Sequence, residues 1–117
     1  MFNNIVFAGG GNRCFWQAGF WLRLSEEVEL NPRRVSSVSA GAAISCALFS
    51  NCMEATLHHT KEVMAKNPKN RYWGKLFTTE PIHPHSALYR HIVEQSIDES
   101  GMQRLKQGPE NHILVAH

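Results

Sequence analysis

Short apolar runs separated by polar or glycine-rich breaks recur along the chain, and they predict an alternation of strands and helices. Asn4–Ala8 is a compact apolar run with β-branched residues, which is typical of a buried strand. Aromatic and leucine side chains give Arg13–Val28 a broad apolar face, so this segment is predicted to be a helix that packs on a sheet. Val35–Val38 has the composition of a second strand.

The middle of the chain predicts two helices and an irregular connection. Ala40–Phe49 has almost no polar surface, which indicates a buried, central helix. Asn51 and Glu54 have the spacing of a capping box and predict the start of a helix that reaches about Lys66. Asn67–Pro84 holds prolines, a glycine and mixed polar residues, so we interpret it as an irregular connection.

The last third predicts one more amphipathic helix and a third strand. Ser86 is expected to cap a helix. Its apolar face carries Leu88, Ile92, Val93 and Ile97. Gly108-Pro109 ends the segment that follows, and His112–Ala116 has the composition of a strand. The order strand, helix, strand, helices, strand predicts an α/β fold with a parallel sheet covered by helices.

Composition excludes several classes of protein. A chain of 117 residues is at most one small domain, and a net charge of +2 does not indicate a nucleic-acid binder. Three cysteines do not form a disulfide framework, so a reducing compartment is expected. Neither a signal peptide nor a segment of transmembrane length is recognisable, so the expected location is the cytoplasm.

Histidines and exposed aromatic residues are possible ligand-binding groups, and the chain has both residue types. The pairs His58-His59 and His83-Pro-His85 lack the i, i+4 spacing of a helical zinc site, so no metal site is predicted. Three aromatic side chains of the first helix are expected to be core residues rather than a lipid-binding surface. They are Trp16, Phe20 and Trp21.

Three consecutive glycines follow the first strand and open the first helix. Gly9–Gly11 and Asn12 can bend so that several backbone N–H groups face one point, which makes a cradle for an anion. A phosphate or the oxyanion formed by attack on an ester would suit it. A dinucleotide-binding loop has a glycine at the position of Cys14 and an acidic residue at the end of the second strand. This sequence has neither, so that alternative fails. A purely structural glycine turn remains an alternative.

A second motif lies at the end of the second strand. Ser37-Val38-Ser39-Ala40-Gly41 is close to G-x-S-x-G, with Ser37 where the first glycine belongs. A tight turn between strand and helix lifts a serine hydroxyl out of the packed sheet edge, so Ser39 is a candidate nucleophile. A small residue such as Gly41 is expected where the backbone passes close to itself. The alternative is an ordinary turn serine.

In this order the two motifs resemble those of the patatin-like phospholipase family. That family has a Gly-Gly-Gly-x-Arg-Gly loop after its first strand, and a G-x-S-x-G elbow after one helix and a second strand. The loop here is Gly9–Arg13, and Cys14 replaces the last glycine. The resemblance implies a serine lipid acyl hydrolase of the phospholipase A or esterase type, with Ser39 as nucleophile. Backbone N–H groups from Gly9, Gly10, Gly11, Asn12 and Arg13 would then form the oxyanion hole.

The resemblance also implies the substrate and the missing partner of the serine. The substrate would be a phospholipid or another acyl ester, met at a membrane or micelle surface, with no metal or organic cofactor. The family uses an aspartate in a later Asp-Gly-Gly or Asp-Gly-Ala motif as the base. The single aspartate, Asp98, is followed by Glu99-Ser100 and is not given that role. We therefore expect residues 1–117 to be the N-terminal portion of a patatin-like domain that is inactive alone. A non-catalytic lipid- or partner-binding module is the alternative.

Overall fold

The computed structural model describes residues 2–67, 78–79 and 85–115, which form an α/β fold. The strands are β1 (Asn4–Phe7), β2 (Arg34–Val38) and β3 (Glu110–Leu114). The helices are a 3₁₀ helix (Gly11–Cys14), α1 (Phe15–Glu27), α2 (Ala40–Phe49), α3 (Met53–Lys66), α4 (His85–Ser96) and α5 (Glu99–Gln107). All strand pairs are parallel, so the predicted fold class is confirmed.

The three strands lie in the order β1-β2-β3, so each strand neighbours its predecessor. Crossovers between parallel strands are right-handed, and two crossovers in the same direction place their helices on the same face of the sheet. Ile5 and Val35, which are register partners, are buried on that face. On the opposite face, the exposed fractions of Val6 and Leu114 are 73% and 65%, and no residue within the described ranges covers them.

The core lies between the helix-covered face of the sheet and the first two α-helices. Phe7 is fully buried at its centre. Its ring centroid lies 5.1 Å from that of Trp21 on α1 and 6.4 Å from that of Phe49 on α2. Ala18, Ala40 and Ile44 are among the other core residues. This packing fixes the junctions after β1 and after β2, where both predicted motifs lie.

Asn51 ends α2 instead of capping the next helix, so the predicted capping box is wrong. Its φ is 58°, a left-handed conformation that asparagine tolerates better than most residues. The N–H of Asn51 donates to Leu48 O (3.0 Å), and the N–H of Cys52 donates to Ala47 O (2.9 Å). This pair of bonds is a Schellman motif, which satisfies the last carbonyls of a helix. Cys52 is the N-cap of α3 and makes no side-chain capping bond.

The remaining boundaries differ from the predictions by a few residues. The segment that opens the first predicted helix is a 3₁₀ turn, and β3 begins at Glu110 rather than His112. Helix α4 begins at His85, one residue before the expected cap. Most of the predicted connection Asn67–Pro84 falls outside the described residues.

Two aromatic side chains of α1 are exposed, so the expectation that they belong to the core is wrong. The exposed fractions are 69% for Trp16 and 51% for Phe20, whereas Trp21 packs on the core. Helix α1 is covered on one side only, and its apolar pattern is wider than the surface that it buries. Among the helices that the structure describes, none has the length and apolar character needed to cross a membrane.

Candidate active site

Ser39 is the single residue that joins β2 to α2. The strand ends at Val38 and the helix begins at Ala40. Ser39 has φ 55° and ψ −132°, a combination that residues with a side chain rarely adopt. Its side chain is exposed and makes no hydrogen bond with any residue in the described ranges. The turn therefore presents a free hydroxyl at the carboxyl edge of the sheet, beside the positive end of the α2 dipole.

Gly41 allows α2 to begin directly against the end of β1. A Cβ atom at this position would lie 2.5 Å from the carbonyl oxygens of both Phe7 and Ala8. These are backbone atoms of a packed strand, so they cannot move aside as a flexible side chain could. The absence of a side chain at Gly41 therefore holds Ser39 next to the loop that follows β1.

The glycine loop lies against Ser39. A Cβ atom at Gly9 would be 3.1 Å from the Cβ of Ser39 and 3.2 Å from Val38 O. Gly10 (φ 156°) and Gly11 (φ 58°) both have positive φ, which glycine adopts without steric penalty. The 3₁₀ helix begins at Gly11, and the first N–H groups of a helix have no partner within it. The loop therefore has backbone donors that the helix leaves unpaired, and its first residue, Gly9, lies against Ser39.

Cys14 and Gln17 fasten the start of this loop. The Cys14 thiol and the Gln17 side-chain amide both donate to Ala8 O, at 3.4 Å and 3.2 Å. Both side chains are buried, and burial raises the pKa of the Cys14 thiol, so the thiol remains a neutral donor. Cys14 occupies the position where the loop pattern expects glycine, and the structure accommodates it as a buried residue beneath the loop.

Tyr89 is a residue of this site that the sequence analysis missed. It lies on α4, and its hydroxyl donates to Asn12 Oδ1 at 2.9 Å, across 77 residues of sequence. Its ring stacks on that of Phe15, with centroids 6.4 Å apart. Burial raises the pKa of Tyr89, which keeps the phenol protonated as a donor. Its only sequence signal is the periodicity of an amphipathic helix, which does not reveal the contact with the loop.

Ser37 lies outside the exposed part of the site. It is 1% exposed on the helix-covered face of β2, and its hydroxyl has no hydrogen-bond partner in the parts of the chain that the structure describes. Ser37 therefore fills a core position beneath the turn, where a small residue fits. Its side chain does not lie at the sheet edge with Ser39.

Asp98 lies at the far end of α2 from Ser39. Its carboxylate accepts from the N–H of Gly101 (2.6 Å) and from Ser100 Oγ (3.0 Å), and these bonds hold its pKa below the ordinary value. The nearby Arg104 donates to Ser50 O, at the last turn of α2. Ser39 precedes the first turn of this ten-residue helix, which is about 15 Å long. Asp98 is therefore the N-cap of α5 and does not reach Ser39.

Arg13 adds no partner to Ser39 in the part of the chain that the structure describes. The Arg13 side chain is exposed and makes no hydrogen bond or ion pair within the described part of the chain. His117 follows the last predicted strand, at the edge of the sheet where α/β sites gather, and it falls outside the described residues. No group of three or more histidine, cysteine or acidic side chains that could hold a metal ion is found in ranges 2–67, 78–79 and 85–115.

Comparison with family models gave a match over nearly the whole chain. A family model described as "Patatin-like phospholipase" matches residues 5–115, which include the glycine loop and the turn at Ser39. No curated protein and no solved structure matches the chain significantly.

Proposed function

The chain belongs to the patatin-like phospholipase family, whose activity is acyl hydrolysis, and we propose that Ser39 is the nucleophile of a serine lipid acyl hydrolase. The observation that supports this role is the position of Ser39. It occupies a strained strand-to-helix turn with an unbonded hydroxyl, and the backbone of Gly9 lies directly against it. A serine with only a turn-forming role does not need a glycine loop packed beside its Cβ atom.

In the proposed reaction, Ser39 Oγ attacks the carbonyl carbon of an acyl ester. The carbonyl oxygen becomes an oxyanion, and N–H groups of Gly10, Gly11 and Asn12 stabilise it. Each preorganised donor of this kind typically contributes ~10²–10³-fold in rate. Collapse of this tetrahedral intermediate breaks the ester C–O bond, releases the alcohol and leaves Ser39 acylated. Water then hydrolyses the acyl-enzyme, which releases the carboxylic acid and restores the serine. The serine hydroxyl and the backbone N–H groups of the chain carry out these steps. The proposal therefore includes no metal or organic cofactor.

The base that accepts the serine proton is proposed to come from a longer polypeptide. Asp98 lies at the other end of α2 and caps α5, so the single aspartate of this sequence is already used structurally. Residues 1–117 would then be the N-terminal portion of one patatin-like domain. A general base contributes ~10²–10⁴-fold, so these residues alone should hydrolyse esters slowly.

The proposed substrate is a phospholipid or another acyl ester, met at the surface of a membrane or micelle by a cytoplasmic protein. The exposed aromatic pair on α1 supports this setting. The rings of Trp16 and Phe20 lie 6.3 Å apart, and α1 begins directly after the glycine loop. Aromatic side chains are favoured at the boundary between water and lipid.

The second candidate is a lipid-binding module without turnover. It is favoured by the absence of any acidic or basic side chain bonded to Ser39 within the described ranges. Such a module would bind lipid vesicles, but Ser39 would have no enhanced reactivity.

Active-site labelling tests the proposed function. In the longer polypeptide that supplies the base, a short-chain alkyl fluorophosphonate should modify Ser39, as read by peptide mass spectrometry, and the labelling should disappear in Ser39→Ala. Ser36→Ala is the matched control, because Ser36 lies on the same strand but not at the turn. Labelling spread over several serines at similar rates would refute a nucleophilic role. Vesicle binding without Ser39 labelling would favour the second candidate.

A further inference from the structure

A groove of about 340 Å³ runs between α2 and α4, and its surface is almost wholly apolar. One wall is formed by Ala42, Ala43 and Cys46 on α2, and the other by Tyr89 and Val93 on α4. We propose that this groove binds the acyl chain of the ester that Ser39 attacks. The proposal rests on the proposed function of Ser39 and identifies which part of the substrate the chain recognises.

Both walls of the groove begin at the reactive centre. The N–H of Ala42 donates to the carbonyl oxygen of Ser39 at 2.9 Å, so this wall starts one turn after the nucleophile. Tyr89 starts the other wall, and its hydroxyl bonds to Asn12 of the glycine loop. An ester carbonyl held between Ser39 and the loop therefore lies at the head of the groove.

The groove exists because the residues of α2 that face it are small. Cys46 follows Ala43 by three residues and Ala42 by four, so the three residues share one side of the helix. Their short side chains leave space for about ten groups of methylene or water size, since a water molecule occupies ~30 Å³ of liquid. Each buried methylene strengthens binding roughly fourfold, so a medium-length chain would fit better than a short one.

The edge of the groove is charged, which favours a chain with a polar head over a second apolar surface. Arg90 and Glu94 stand along α4 at the rim, and both are exposed. An acyl chain can lie on the apolar floor while its carbonyl end remains near the polar loop. A partner helix would instead have to cover two charged side chains, which is unfavourable without pairing.

Cys46 provides a direct test of occupancy that does not depend on activity. It is half-buried in the groove, whereas Cys14 and Cys52 are buried. Alkylation of Cys46 by N-ethylmaleimide is measured by mass spectrometry in the wild-type chain with decanoate below its micellar concentration. Butyrate is the short-chain control. We expect decanoate to slow the modification of Cys46 at least fivefold and butyrate to leave it nearly unchanged.

Filling the groove should remove this protection. Ala43→Leu places a larger side chain on its floor. Val93→Ala is a second variant with a smaller risk of misfolding; it removes apolar surface from the α4 wall and should weaken the protection by decanoate. Ala65→Leu on α3 is the control, because Ala65 is exposed and outside the groove. Decanoate should protect Cys46 in the control variant but not in Ala43→Leu. Equal protection in both variants, or no protection in the wild-type chain, would overturn the proposal.

Labelling of Ser39 separates a failure of this inference from a failure of the proposed function. The rate ratio between decyl and ethyl fluorophosphonates should fall at least fivefold in Ala43→Leu and remain unchanged in Ala65→Leu. Selective Ser39 labelling with no chain-length preference would reject the groove and retain the nucleophile. Protection of Cys46 without Ser39 labelling would reject the nucleophile and retain a groove that binds fatty chains.

Discussion

Gly41 offers a sharp test of how the site is built, because Gly41→Ala adds a single methyl group against the backbone of β1. The new Cβ would lie 2.5 Å from two carbonyl oxygens, about 0.8 Å closer than the ~3.3 Å of a close C···O contact. Overpacking of this kind costs ~1–3 kcal/mol, and the rigid strand places it at the upper end. Alanine regains about 1 kcal/mol through helix propensity. The expected net loss in the free energy of unfolding is about 2 kcal/mol.

Gly19→Ala is the matched control for this substitution. Gly19 also lies in an α-helix, and a Cβ atom there would have no neighbour within 4 Å. This change should therefore stabilise the chain by about 1 kcal/mol. Urea unfolding followed by circular dichroism would measure a difference of about 3 kcal/mol between the two variants. A displacement of Ser39 near 1 Å should also slow its labelling by ~10²-fold in Gly41→Ala only. The reasoning is refuted if Gly41→Ala is as stable as Gly19→Ala.

Three further substitutions test single contacts. Tyr89→Phe removes the hydrogen bond to Asn12, so the free energy of unfolding should fall by about 1 kcal/mol and Ser39 should be labelled several-fold more slowly. An unchanged labelling rate would show that α4 does not position the loop. Ser37→Ala removes a buried hydroxyl that has no partner among the described residues, so the free energy of unfolding should rise by about 1 kcal/mol. A lower free energy of unfolding would show that the Ser37 hydroxyl makes a stabilising hydrogen bond. Asp98→Ala should lower the urea midpoint at pH 7 without altering Ser39 labelling. Because the folded-state pKa of Asp98 lies below its unfolded value, the wild-type advantage should decline as pH falls below about 4, and an advantage that does not decline there would contradict this assignment.

The sequence predicted those parts of the fold and site that depend on local chemistry. The apolar run at β1, the small-residue helix α2 and the turn at Ser39 each carry their signal within a few neighbouring residues. Asn51 shows the limit of such signals. Asparagine is common both at the N-cap of a helix and at the left-handed position that ends one. Here Asn51 takes the second position, because its backbone and that of Cys52 bond to the last carbonyls of α2.

Other features of the fold and the site depend on which helices and strands pack together. A short stretch of sequence does not predict this packing. Tyr89 touches the loop because α4 packs beside α2, and the groove between these helices exists only in the folded chain. Trp16 and Phe20 are large and apolar, as core residues are. They are exposed because no described element packs on their face of α1. The burial of an aromatic side chain is set by the partner element and not by the side chain itself.

The order of the strands has a consequence for how the chain folds. Strands β1 and β2 pair residues thirty positions apart, as in Asn4 with Arg34, and the loop, the turn and α2 all lie within the first 49 residues. Pairing of β3 with β2 must close a far longer loop, with a further entropic penalty of roughly 0.8 kcal/mol. Low contact order favours early formation, so the framework around Ser39 is expected to assemble while the C-terminal strand is still unpaired. During synthesis, the first half of the chain could establish the geometry of the turn before the remainder leaves the ribosome.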